Sequence, residues 1–235
     1  MFLAKFIFLV SIFWITRCSA VDTSIETTIE DTSHTTTFKT ASACSFPSFS
    51  SGSTGFFLKY YNYPWSNSDL YSDTSFMATQ YTRYSLFNTA SGIAPTYISR
   101  TAGGSTDISN TYGFNYYASH FTFEYTGFYL PDLTGLYLFS LLDVDDSAIV
   151  WIGLGAFDCC DSNILPSGSE DTFITFATHK WWGDGIITNA FSFVYLESGF
   201  YYPMRIVFVN VVTAAVFELR LTDPNGSDVD LLKNY

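Results

Sequence analysis

The stretch Leu138–Gly153, LFSLLDVDDSAIVWIG, is almost wholly apolar, yet it carries Asp143, Asp145 and Asp146. Its β-branched and aromatic residues fit a pleated, half-buried surface and predict a strand. Carboxylates beside Ala148, Ile149, Val150 and Trp151 need a partner, because buried charge is tolerated only when paired or metal-bound. Successive strand residues also face opposite ways, so a regular backbone sends Asp145 and Asp146 to opposite faces. Convergence of both on one point requires a sharp turn of the chain, for which a cis peptide is one route. A calcium ion, which takes six to eight oxygen ligands, is the partner that suits two carboxylates.

The texture of that stretch recurs along the chain. GFFLKYY, HFTFEYTGFYL, GLYLFSLLDV, DTFITFA, AFSFVYL, MRIVFVNVV and FELRLTD are short and β-rich, separated by Gly, Pro, Asn, Asp and Ser clusters. Such spacing predicts an antiparallel sandwich or barrel, and no segment has sustained helical periodicity. Aromatics make up 20% of the 235 residues and charged residues only 14%, which suits one packed core and excludes a disordered chain. The net charge of −12 excludes nucleic acid and anionic membrane as partners.

Residues 1–20 read as a secretory signal. Lys5 precedes the apolar run Phe6–Ile15, and small residues close the segment before Val21. Ten apolar residues are half of what a membrane span needs. Cleavage removes Lys5 and Arg17, leaving 8 − 22 = −14. Residues 21–43, with 11 Ser or Thr among 23, predict a solvated lead-in, and residues 44–235 a single domain. After cleavage Cys44, Cys159 and Cys160 remain, and in an oxidising compartment Cys44 is expected to bridge one of the adjacent pair. Adjacent cysteines seldom bridge each other. Asn225-Gly226-Ser227 is an N-glycosylation acceptor within a DPNG turn.

From about residue 110 to 228, TGFYLPDLTGLYLFSLLDVDDSAIVWIG, GAFDCC, GFYYPMRIVFVN and the late DPNG turn resemble the lectin domains of yeast flocculins and related GLEYA adhesins. The resemblance implies the β-barrel fold first known from anthrax protective antigen and a monomeric, calcium-dependent sugar-binding domain. It implies that a cis-linked Asp145–Asp146 pair, the Asn210 side chain and the carbonyls of Val212 and Ala214 hold calcium. Two neighbouring hydroxyls of a terminal sugar on a cell-surface glycan would complete the shell. HKWWGDG, residues 179–185, matches a sugar-approaching loop. There Lys180 would donate to a hydroxyl and Trp181 or Trp182 would stack on a pyranose, although Trp182 reads equally as core. Thr213 is a further contact candidate.

Departures from the pattern leave the sugar open among mannose, galactose and N-acetylglucosamine. A cysteine-rich insertion is replaced by RTAGGSTDISNT, and VNVVTAAVFE lacks the charged and aromatic residues that fix preference elsewhere. The sequence ends at Tyr235 without a Ser/Thr-rich stalk, so the expectation is either a free secreted lectin or a truncated relative of a cell-wall adhesin. An enzyme is not expected. Two adjacent aspartates sharing one ion are badly placed as acid and base across a glycosidic bond. The other alternative is a structural domain in which calcium only braces loops.

Overall fold

A computed structural model of the protein describes residues 19–21, 39–41, 43–45, 54–64, 70–99, 108–153, 155–157, 175–178, 190–211 and 215–233. Their strands, in chain order, are β1 (Ser19–Val21), β2 (Lys39–Thr40), β3 (Ala43–Ser45), β4 (Phe56–Asn62), β5 (Leu86–Ile93), β6 (Tyr97–Ser99), β7 (Ile108–Ser109), β8 (Tyr116–Tyr117), β9 (Phe121–Tyr129), β10 (Gly135–Leu142), β11 (Ser147–Ile152), β12 (Thr175–Thr178), β13 (Ala190–Leu196), β14 (Tyr202–Asn210) and β15 (Ala215–Thr222). Two sheets carry the architecture. A six-stranded sheet has the order β12-β11-β14-β9-β4-β5, and a five-stranded sheet the order β2-β13-β10-β15-β6. Pairing is antiparallel except where the short β2 lies parallel to β13. The all-β sandwich expected from the sequence is the observed fold.

The two-residue period explains how the sheets pack. Leu58 and Tyr60 of β4, Phe123 and Tyr125 of β9, Ala148 and Val150 of β11, and Ile206 and Phe208 of β14 point to the inner layer. They meet Tyr137, Phe139 and Leu141 of β10, Val194 of β13, and Phe217 and Leu219 of β15. Phe208 stacks on Phe217 across the layer, ring centres 5.2 Å apart. Offset aromatic pairs of this kind are worth about 0.5–1.5 kcal/mol beyond area burial.

All nine residues of β14 are buried, so the outer face of the six-stranded sheet is covered as well. The cover is one feature that periodicity did not announce, an excursion between β4 and β5 that includes the five-residue helix α1 (Thr74–Ala78). Asp73 caps α1 by accepting from the Ser75 backbone N–H at 2.8 Å. Tyr63, Phe76, Met77 and Tyr81 from the excursion pack on Ile149, Trp151, Val207 and Val209, giving a second apolar layer. Five residues are too few to display a 3.6-residue repeat, which is why the helix was not expected.

The last residues of the Ser/Thr-rich lead-in take part in the fold. Lys39 and Thr40 pair with Val194 and Tyr195, and Ala43 is buried in the inner layer. Val21 pairs with Ala43, and Ala20 with Cys44. Among the described residues no helix is long and apolar enough to cross a membrane.

Candidate functional site

The aspartates lie where β10 leaves one sheet and β11 enters the other. Asp143 is exposed, Asp145 half-buried and Asp146 only 2% exposed. The linkage differs from the one expected: among the described residues there is no cis peptide bond, and the turn is made by φ angles. Asp143 (φ +45°) and Asp146 (φ +66°) both adopt the left-handed region, which short polar side chains tolerate better than most. A left-handed residue at the strand entrance interrupts the regular two-residue alternation of a strand. The Asp145 N–H donates to Val216 O of β15 at 2.8 Å, pinning the turn to the five-stranded sheet.

Strand register brings Asn210 to the same place. Ser147 pairs with Val209, so Asp146, one residue earlier, comes level with Asn210, one residue later. The Val211 N–H then donates to Asp146 Oδ2 at 2.5 Å. Asn210 is fully buried at the end of β14, and its Nδ2 donates to Ala118 O at 2.9 Å. That bond fixes the orientation of the amide, and it leaves Oδ1 buried without a hydrogen-bond partner. A buried acceptor in that condition forfeits about 1–3 kcal/mol. It calls for a cation or a donor. The Asp146 carboxylate and the Asn210 amide oxygen are oxygen donors, as a hard cation such as calcium requires. No cluster of three or more His, Cys, Asp or Glu occurs among the described residues. The residues present fit calcium.

His120, which drew no attention in the sequence, forms one wall. Its backbone N–H donates to Val211 O at 3.2 Å, and its carbonyl accepts from the Tyr63 N–H. It too has a positive φ, +61°, and burial holds its imidazole well below the usual range, at about 4. No sequence signal marks it, because a left-handed non-glycine residue is visible only in three dimensions.

The remaining expected site residues fall elsewhere. Lys180, Trp181, Trp182, Val212, Thr213 and Ala214 lie outside the described residues, as do Cys159 and Cys160. Cys44 sits on β3, but its side chain is outside the description. Asn225 is exposed in the turn after β15, and there Gly226 takes a φ of +83°.

A two-sheet β domain with Asp146 and Asn210 brought level at one rim of its inner layer is the class defined by fold and site. The GLEYA domain model matches residues 121–223, which span β9 to β15 and contain Asp145, Asp146 and Asn210. Flocculation protein FLO1 of Saccharomyces cerevisiae is 38% identical over 126 residues, 53% of this chain and 8% of that protein. The chain therefore spans less than a tenth of that relative. Topoisomerase I damage affected protein 8 of the same yeast is 40% identical over 89 residues, 37% of this chain and 69% of that protein. Among solved structures, the epithelial adhesin 6 A domain of Candida glabrata, in complex with Galβ1-3GlcNAc, superposes with a TM-score of 0.61. It is 24% identical, with 82% of this chain and 88% of that chain covered. The chain belongs to the GLEYA-domain family, as its motifs implied.

Proposed function

We propose that the domain is a secreted or cell-wall calcium-dependent lectin that recognises a terminal hexose of cell-surface glycans. The observation that carries the reading is the buried, unpartnered Oδ1 of Asn210, level with the buried carboxylate of Asp146. Asp145, Asp146, Asn210 and the carbonyls of Val212 and Ala214 would hold the ion. A bound calcium ion supplies open coordination positions that a vicinal diol fills with two oxygens, with no acid or base needed.

The chain's own residues set up that arrangement. Ala118 orients the Asn210 amide, and Val211 orients the Asp146 carboxylate. The buried surroundings keep water from competing with these contacts. Lys180, Trp181 and Thr213 are proposed to add hydrogen bonds and stacking to the sugar, with Trp182 shared between contact and core. A disulfide from Cys44 to Cys159 or Cys160 is proposed to tie the start of the domain to the segment after β11. The relatives named for flocculation and the solved relative bound to a disaccharide support a binding role over a catalytic one.

A shallow site with few contacts binds weakly, from millimolar to about tens of micromolar, and gains strength through multivalent display. Glycan-array binding with and without a calcium chelator tests the reading. Signal on terminal mannose, galactose or N-acetylglucosamine that chelation abolishes is the expected result. Calcium-dependent melting with no glycan signal would make the ion a loop brace and sink the lectin assignment.

A further inference from the structure

His120 lies one residue before β9 and is held from both sides. Phe121 pairs with Asn210 of β14 and with Asn62 of β4, so His120 comes level with Val211 and Tyr63. It bonds to both: its N–H donates to Val211 O at 3.2 Å, and its carbonyl accepts from the Tyr63 N–H at 2.9 Å. Tyr63 is fixed in turn, fully buried, with its hydroxyl accepting from the Tyr71 N–H at 3.1 Å. The backbone of His120 thus makes the hydrogen bonds of a strand residue while its φ is +61°. A conformation of that kind persists only where the surroundings impose it, and it gathers at functional sites.

The consequence is read at Ala118. An extended approach to β9 would leave Ala118 three residues, about 10 Å, along the strand from the level of Asn210. The structure instead has Ala118 O 2.9 Å from Asn210 Nδ2. An asparagine side chain is too short to make up the difference, so the chain folds back before β9. Between Ala118 and Phe121 the one positive φ is that of His120. The carbonyl delivered by this turn decides how the Asn210 amide is used. It takes the amide nitrogen and leaves Oδ1 as the buried acceptor. The reversed amide would offer N–H groups, which a hard cation cannot use as ligands.

We propose that His120 is a positioning residue of the calcium site, its left-handed backbone turning Ala118 O onto the Asn210 amide so that Oδ1 is the end left for the ion. The proposal rests on the calcium reading of Asp146 and Asn210. It assigns the role to the backbone of His120, and the imidazole is not a ligand.

The test is a series at this one position, His120→Gly, His120→Ala and His120→Val, in the whole domain. Tolerance of a positive φ falls in that order, since glycine adopts it freely and a β-branched residue hardly at all. Side-chain volume rises in the same order, so a residue that merely filled space would rank the variants the other way. Calcium affinity, measured by titration calorimetry, is expected to follow φ tolerance, with His120→Val at least about tenfold weaker than His120→Gly. The Asn210 side-chain amide resonance, followed in chelator, reports the bond to Ala118 O with no ion present. It is expected to move further from its wild-type position in His120→Val than in His120→Gly.

Affinity that follows side-chain volume overturns the proposal, and so does equal affinity across the three variants. Equal loss in all three would give the role to the imidazole, and no loss would give His120 none. Glycine against alanine decides the order by itself if the valine variant does not fold. A wild-type domain that takes up no calcium overturns the calcium reading, and the proposal with it. Wild-type uptake combined with the wrong order overturns the role of His120 alone.

Discussion

Val211 donates its backbone N–H to Asp146 Oδ2 at 2.5 Å, so the strand end that presents Asn210 also clamps the carboxylate level with it. The two proposed side-chain ligands are therefore not independent. Whatever displaces Asp146 also loosens the backbone one residue after Asn210.

Asp146→Asn keeps an oxygen for the Val211 N–H and a residue type that tolerates φ +66°, but removes the negative charge. The fold is expected to survive in chelator with a melting temperature close to wild type. The calcium-induced stabilisation, about 2.7 kcal/mol at a hundredfold excess over Kd, is expected to be largely lost. Scanning calorimetry across a calcium series checks this, and an undiminished calcium response in Asp146→Asn would place the ion elsewhere.

Asn210→Leu removes the orphaned Oδ1 and also the donor to Ala118 O, replacing both by a side chain of the same branching and heavy-atom count. Leaving Ala118 O without that donor costs about 1–3 kcal/mol, offset in part by the apolar burial gained. Calcium and glycan binding are both expected to disappear. Denaturant unfolding in chelator, paired with glycan binding in calcium, separates the two effects, and retained glycan binding would rule Asn210 out as a ligand.

The inner layer was legible because its strands alternate. Leu58 and Tyr60, or Ile206 and Phe208, sit two apart and point inward, and the Gly, Asn and Asp clusters between runs mark the turns. The outer layer was not legible. β14 is apolar on both faces, and nothing in MRIVFVN tells which element covers its second face. At the site, Asp145, Asp146 and Asn210 stood out by motif, and register then brought Asp146 and Asn210 level. His120 and the trans, left-handed geometry at Asp146 were invisible, since both depend on φ angles that the surrounding strands impose.

Buried phenols set the alkaline limit. Burial pushes the hydroxyls of Tyr81, Tyr112 and Tyr129 well above the ordinary value, and burial followed by the Glu124 charge raises Tyr61 to about 12. With folded values above the unfolded value near 10, these groups stabilise the fold fully below pH 10. The unfolded chain releases protons that the folded chain retains, so stability falls as pH rises from about 10 toward 12. Tyrosinate absorbance and far-ultraviolet circular dichroism followed together are expected to change in one cooperative step. Smooth titration of all tyrosines near pH 10 with the fold intact would contradict the burial of these rings.

The turn that holds the proposed Asn225 acceptor is tied to the opposite end of the molecule from the rim site. β15 runs from the neighbourhood of Asp145, held to Val216, to Thr222 just before the turn, about 20 Å in six residues. Within the turn Asp223 Oδ1 accepts from the backbone N–H groups of Asn225 and Ser227, both at 2.8 Å, so the carboxylate and not the Asn225 side chain holds the loop. The Asn225 side chain is exposed and free to carry a glycan. Asn225→Gln is therefore expected to remove the glycan without altering calcium or sugar affinity, and to change stability by less than about 0.5 kcal/mol. Asp223→Ala, which orphans two backbone donors, is expected to cost about 1–2 kcal/mol and again to leave sugar affinity unchanged. Glycan-binding titrations of the two variants, with mass analysis of the glycan, decide the matter. A fall in sugar affinity for Asn225→Gln would mean that the binding surface reaches the DPNG turn, which a site at the Asp146–Asn210 rim does not.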